Sequence, residues 1–351
     1  MHALVFDGPG KRTWEERPAP RIQEPTDAIV RITTSTICGT DLHILKGDVP
    51  TVTPGRILGH EGVGIVEEVG SAVSTFAPGD RVLISCITAC GKCDYCKKRM
   101  YSHCRHGGWI LGNRIDGTQA ELVRIPYADT SLYRIPEGID EEALVMLSDI
   151  LPTGFECGVL NGQIAPGDTV AIVGAGPIGL AVLLTAQFYA PAAIYVIDID
   201  DNRLAEAKRL GATAVVNDAE GEAIQCVMTL TGREGVDVAV EAVGTPEAFD
   251  TCQSILAPGG RLANVGVHGK PASLHLEKIW DRNITLTTRL VDTAATPMLL
   301  KVVESGKINP AELATHCFAL DDVMTAYDTF GNASRENALK VILRNGDGPQ
   351  P

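Results

Sequence analysis

Hydrophobic and polar positions change rhythm along this chain. Residues 27–34, Asp-Ala-Ile-Val-Arg-Ile-Thr-Thr, alternate as a strand with one buried face does. Residues 62–70 predict a second strand, and Pro78-Gly79-Asp80 is a turn into a third over 81–85. Short strands with Gly and Pro punctuation predict a barrel-like antiparallel domain. From Pro166-Gly167-Asp168 the pattern differs. Residues 169–174 are continuously apolar, as in a parallel strand buried on both faces. Helical and strand patterns then alternate: a helix over 177–190, a strand over 193–198, a helix over 200–210 closed by Gly211, and strands over 215–217, 236–241 and 260–266. Repeated β-α-β units predict a doubly wound sheet. Helices follow over 297–305 and 320–330, and a lone strand over 339–343 must find a partner, for which the β-rich first domain is the candidate. That pairing would make the doubly wound domain an insertion. The tail 345–351 is expected to fray.

Length changes this picture little: 351 residues suit two domains, with boundaries expected at 1–150 plus 291–351 and at 151–290. A net charge of -14 argues against a nucleic-acid surface, which needs clustered cations. The densest basic cluster, Lys97-Lys98-Arg99, reads as a solvated loop face. The N-terminus lacks the pattern of a secretory leader, and no window approaches the roughly twenty apolar residues of a membrane span. Ten cysteines in such a chain are expected to stay reduced, in the cytoplasm, where metal binding is favoured over disulfides.

Three constellations carry chemistry. Gly174-x-Gly176-x-x-Gly179 follows a strand and opens a helix, the context in which this pattern means a dinucleotide site, with Pro177 and Ile178 inside it. Its glycines allow a tight turn and close approach of a pyrophosphate to the helix N-terminus. Asp198, about 20 residues on at the end of the next strand, would hydrogen-bond ribose hydroxyls and repel a 2′-phosphate, which predicts NAD rather than NADP. Cys90-x2-Cys93-x2-Cys96-x7-Cys104 has the spacing of a closed four-thiolate zinc site, whose task is to fix a loop. Cys38 and His60-Glu61 form a mixed set that could hold a second, open zinc acting as a Lewis acid on an alcohol oxygen, beside a nicotinamide that takes the hydride.

Taken in order, Cys38-Gly-Thr-Asp, Gly59-His60-Glu61 with Gly64, Val66 and Gly70, the cysteine lobe, and Gly174-Ala-Gly-Pro-Ile-Gly179 resemble the zinc-dependent medium-chain alcohol dehydrogenases, over nearly the whole chain. Within that family it resembles the bacterial secondary alcohol dehydrogenases. The resemblance implies an α/β protein: a GroES-like β-barrel catalytic domain with an inserted doubly wound Rossmann domain. It implies two zinc ions per chain, NAD, and a homo-oligomer, with a tetramer favoured.

By the same resemblance Cys38, His60 and Asp149 are catalytic zinc ligands. Glu61 is an adjacent carboxylate able to enter the shell, and Asp41 orients His60. Asp149 stands where other members have cysteine, so the site is harder than one with two thiolates; an aspartate there could also be a helix cap. Thr40 takes the alcohol proton and His43 relays it. Thr153, Arg203, Val265, Gly266, Val267 and Lys340 contact the cofactor, Lys340 at its pyrophosphate; Trp109 and Cys86 line the substrate pocket. Secondary alcohol enzymes that share the aspartate often lack the cysteine lobe and use NADP, so Asp149 leaves primary and secondary alcohols both open. The alternatives are a polyol, threonine or formaldehyde dehydrogenase of the same superfamily, or a dinucleotide-binding relative without catalysis.

Overall fold

The alternating segment near residue 30 forms the strand Ala28–Ile37, whose buried Ala28, Val30 and Ile32 enter a core with Val66, Val82, Ile84 and Val123. In this computed structural model, which describes residues 1–346, that strand is the spine of a seven-stranded sheet. Its order is Ala314–Ala319, Lys340–Arg344, Ala28–Ile37, Gly62–Val69, Arg81–Ile84 and Leu132–Arg134, with Leu122–Ile125 also paired to the spine. Every pairing is antiparallel except that of Ala314–Ala319 with Lys340–Arg344. The lone terminal strand therefore does pair with the first domain, Val341 opposite Ile37. A second sheet, Lys11–Glu16, His2–Gly8 and Arg56–Ile57, does not show in the alternation, because His2–Gly8 is buried as a continuous run over Ala3 to Phe6, Lys11–Glu16 is only partly buried and Arg56–Ile57 is two residues long.

Residues Ile150–Val291 form a separate unit, inserted between Met1–Asp149 and the chain from Asp292 on. Its six strands are all parallel, in the order Ala214–Asn217, Ala193–Asp198, Thr169–Val173, Val236–Glu241, Leu256–Asn264 and Thr285–Thr288. This is a doubly wound order whose direction reverses at Thr169–Val173, and its strand ends there make the crevice in which such sheets bind ligands.

Several boundaries differ from expectation. The helix expected over 177–190 ends at Ala186 and tightens into a 3-10 turn, Gln187–Tyr189. Ala190 precedes Pro191, whose ring disfavours the helical conformation there, and Ala190 is left-handed at φ 47°. The strand expected from 260 begins at Leu256. The tail does not fray at its start: Asn345 donates its backbone N–H to Thr33 O and its Nδ2 to Ile32 O, each at 2.9 Å. The rest of that expectation, 347–351, lies outside the described residues.

Candidate metal centres and dinucleotide site

The cysteine lobe closes over few elements. Cys93 precedes the short helix Asp94–Lys97, which carries Cys96, and Cys104 follows the turn Tyr101–His103. The four sulfurs lie within 4.8 Å of one another, with Cys93 Sγ 3.5 Å and Cys90 Sγ 4.0 Å from Cys96 Sγ. Zinc–sulfur bonds of about 2.3 Å in a tetrahedron put sulfurs about 3.8 Å apart, so the donor set fits zinc. Backbone N–H groups of Arg105 and Cys96 hold the Cys93 thiol down to about 6, while burial pushes Cys96 up to about 12. The lobe's own core is mostly sulfur: Ala89, Cys96 and Cys104, with Cys90, Cys93 and Tyr101 against them.

The mixed site draws on three distant segments. Cys38 follows the strand Ala28–Ile37 and caps the helix Gly39–Lys46, its backbone N–H donating to Asp41 Oδ2 at 2.9 Å. Gly59, at φ 93°, turns the chain before His60; a Cβ there would lie 2.7 Å from Gln119 Cγ, so the approach needs glycine. His60 Nε2 is 3.2 Å and Cys38 Sγ 3.8 Å from Asp149 Oδ2. All three donor atoms lie within 4.8 Å of one another. One sulfur, one imidazole nitrogen and one carboxylate oxygen at these spacings fit three corners of a zinc tetrahedron, leaving the fourth open. Burial opposes a charged His60, but Asp149 and Cys38 outweigh it and hold the imidazole well above its usual range. A divalent cation among these atoms would invert that logic, since ligation needs the neutral ring. On the ring's other side His60 Nδ1 faces Asp41 Oδ1 at 3.9 Å. Burial raises the Asp41 carboxyl.

Thr40 is on the helix beside Cys38, its Oγ1 3.7 Å from Cys38 Sγ. His43, one turn further, is partly exposed and its Nδ1 meets Asp48 Oδ2 at 2.8 Å. Trp109 sets its indole edge-on to His60, ring centres 6.2 Å apart. Cys86 touches Asp149 Oδ1 at 3.6 Å, and burial together with that carboxylate pushes its thiol well up. Glu61 is outside the ligand set. Its Oε2 accepts from Thr36 Oγ1 and from Lys340 Nζ, and Oε1 has no hydrogen-bond partner among the described residues.

Lys340 has a side chain only 1% exposed, and its ammonium meets Glu61, because a wholly buried carboxylate without a counter-ion is costly. Sequence reasoning missed Gln119 and Tyr327. Gln119 Nε2 donates to Asp41 Oδ2 at 3.0 Å and Tyr327 Oη to Gln119 Oε1 at 2.8 Å, a buried chain holding the carboxylate behind His60. No local motif marks either residue.

In the inserted unit the glycine turn is built for close approach. Gly174 has φ 104°, Gly176 caps the helix Pro177–Ala186, and a Cβ at Gly179 would lie 1.8 Å from Gly174 O. Nothing lies within 4 Å of a Cβ at Gly176, the open face a pyrophosphate needs. Asp198 Oδ2 accepts the Ala175 N–H at 2.7 Å and Oδ1 that of Asp200 at 3.0 Å, fixing the carboxylate at the strand end. Arg203 is in the first turn of Asp201–Arg209, and Thr153 ends the short helix Ile150–Thr153. The loop at Val265, Gly266 and Val267 is clasped to the end of the fourth strand, Val265 and Gly266 donating to Glu241 O at 2.8 and 3.1 Å; Val267 is 64% exposed. Among the described residues no helix is long and apolar enough to cross a membrane.

Two family patterns match the chain: the alcohol dehydrogenase GroES-like domain over residues 24–137 and the zinc-binding dehydrogenase over 177–305. An alcohol dehydrogenase of Cupriavidus necator is 38% identical over 98% of both chains. An NADP-dependent isopropanol dehydrogenase of Thermoanaerobacter brockii is 33% identical over 95% of this chain and 97% of its own. Among solved structures, a zinc-dependent alcohol dehydrogenase from a Streptococcus superposes with TM-score 0.95 at 55% identity, covering 100% of both chains.

Proposed function

The chain belongs to the zinc-dependent medium-chain alcohol dehydrogenase family, and from that premise we propose that it is an NAD-dependent enzyme, holding two zinc ions, that interconverts primary or secondary alcohols with aldehydes or ketones. The observation that carries this reading is the convergence of Cys38 Sγ, His60 Nε2 and Asp149 Oδ2, three protein donors with one corner left for an oxygen. Zinc bound there supplies Lewis acidity to the alcohol oxygen. Bound NAD supplies the hydride acceptor. The chain's own residues do the rest. Thr40 Oγ1, beside the ligand sulfur, accepts the substrate hydroxyl proton while passing on its own. His43, partly exposed and oriented by Asp48, takes that proton towards solvent. Asp41 stands behind His60 and aligns its ring for ligation, in turn aligned by Gln119. Zinc content near two per chain, with NAD-linked oxidation of ethanol or 2-propanol, is the expected result. One ion per chain without alcohol oxidation would sink the reading.

Cofactor choice rests on Asp198. A carboxylate hydrogen bond to a ribose hydroxyl contributes on the order of 1.5–3 kcal/mol, or roughly 10–100-fold in affinity. Asp198→Ala is therefore expected to cut the NAD-over-NADP ratio of kcat/KM at least about tenfold, by raising the KM for NAD. Wild-type preference for NADP would overturn the assignment.

Ten cysteines, four of them clustered as a metal site, favour a reducing compartment, and we place the enzyme in the cytoplasm. We place it further as a homo-oligomer, tetramer favoured by the family resemblance. The strand Thr285–Thr288 ends the six-stranded sheet, and Leu276, Trp280 and Leu290 nearby in sequence are 59%, 77% and 46% exposed. An open strand edge with exposed apolar residues is a surface that a second copy would cover. Light scattering is expected to give a multiple of the 37.3 kDa chain mass; the single-chain mass would refute this.

A further inference from the structure

Cys86 follows the strand Arg81–Ile84 and is 2% exposed. Its backbone N–H donates to Ser148 O at 3.1 Å, which stitches its loop to the residue preceding Asp149. From that anchor Cys86 Sγ reaches Asp149 Oδ1 at 3.6 Å, within hydrogen-bond range for sulfur. The other oxygen, Oδ2, is the one that faces Cys38 Sγ at 3.8 Å and His60 Nε2 at 3.2 Å. The two oxygens of one carboxylate thus have distinct neighbours: ligand atoms on one, a buried thiol on the other. A ligating carboxylate needs such an outer partner, because rotation about its last bond otherwise lets either oxygen, or both, meet the metal.

We propose that Cys86 is a positioning residue for Asp149: its S–H donates to Oδ1 and presents Oδ2 alone to the metal. This rests on the reading of Cys38, His60 and Asp149 as catalytic zinc ligands. A thiol suits the task. It is a weak donor, so it orients the carboxylate without neutralising it, and its small apolar body fills the buried site as a hydroxyl group would not.

The test uses the full-length protein with Cys86→Ala and Cys86→Ser, competing the catalytic metal against a chelator, with the zinc of the cysteine lobe as an internal reference for folding. Cys86→Ala is expected to weaken the catalytic metal about 10–100-fold while the lobe keeps its ion. Cys86→Ser, which restores a donor, is expected to recover part of that loss. With cobalt exchanged into the catalytic site alone, the thiolate-to-cobalt absorption per bound ion is expected to be the same in Cys86→Ala and wild type, because Cys38 is the sole thiolate ligand. Unchanged metal affinity in Cys86→Ala would overturn the proposal. So would a serine variant as weak as the alanine one, which would assign the loss to packing. A halved thiolate-to-cobalt band would overturn it too, making Cys86 a ligand. Failure of the catalytic-zinc reading itself looks different: the wild type would hold only the lobe's ion, and the proposal would fall with it.

Discussion

Cys38→Ser is expected to leave one zinc per chain and to lower kcat/KM for alcohol oxidation by about a thousandfold or more. The size follows from what is lost: Lewis-acid stabilisation of several kcal/mol, at 1.36 kcal/mol per tenfold in rate. The fold should survive. Cys38 caps the helix Gly39–Lys46 through its backbone N–H on Asp41 Oδ2, which serine keeps, and serine is among the preferred cap residues. Zinc analysis and steady-state kinetics, with circular dichroism on the same samples, check the prediction. Full activity with two zincs retained would remove Cys38 from the ligand set.

Cys96→Ser in the lobe is expected to act on stability before chemistry. Cys96 is 4% exposed and its sulfur lies 3.5 and 4.0 Å from those of Cys93 and Cys90. Because the lobe's core is mostly these cysteines, little apolar area remains to hold it once the metal is gone. Structural zinc contributes about 10–16 kcal/mol in isolated finger peptides, where binding and folding are one event. Even a third of that here would lower the thermal midpoint by roughly 10 °C in a chain of this size. The damage should spread, since Ser102 in the lobe donates its backbone N–H and its Oγ to Asp292 Oδ1 at 2.9 and 2.7 Å, tying the lobe to the segment that leaves the inserted unit. Calorimetry and limited proteolysis of the lobe are the measurements. An unchanged midpoint would mean that the four cysteines fold without metal.

What could be read from residues alone was whatever is local. The cysteine lobe is legible because its sulfurs lie within fifteen positions, so spacing alone constrains geometry. The glycine turn is legible because its strand, turn and helix are contiguous, and Gly179 is demanded by the carbonyl of Gly174 only five residues before it. Of the parallel strands of the inserted unit, Thr169–Val173 and Ala193–Asp198 announce themselves as apolar runs, whereas Thr285–Thr288, with three threonines, does not. The terminal strand was visible as a strand, but its partner was not: pairing with Ala28–Ile37 is a contact some three hundred residues distant, and alternation carries no register across such a gap.

The mixed metal site sits at that same limit. Cys38, His60 and Asp149 are each unremarkable side chains in sequence, the last two 89 positions apart and the outer two 111. Only family resemblance could add Asp149 to Cys38 and His60 beforehand; the tertiary structure brings the three donor atoms within 4.8 Å of one another. What surrounds them could not be grouped at all. Lys340 meets Glu61 across 279 residues, Tyr327 meets Gln119 across 208, and Cys86 reaches Asp149 across 63. These partners are chosen by burial: a polar group taken out of water must find a complement in whatever chain segment the fold brings beside it. Sequence therefore determined the local motifs and the order of the elements, whose constraints act over a few bonds. Which side chains support the metal, and which cation neutralises Glu61, was decided only when the sheets packed, because that choice depends on proximity in space and on the cost of leaving a buried charge alone.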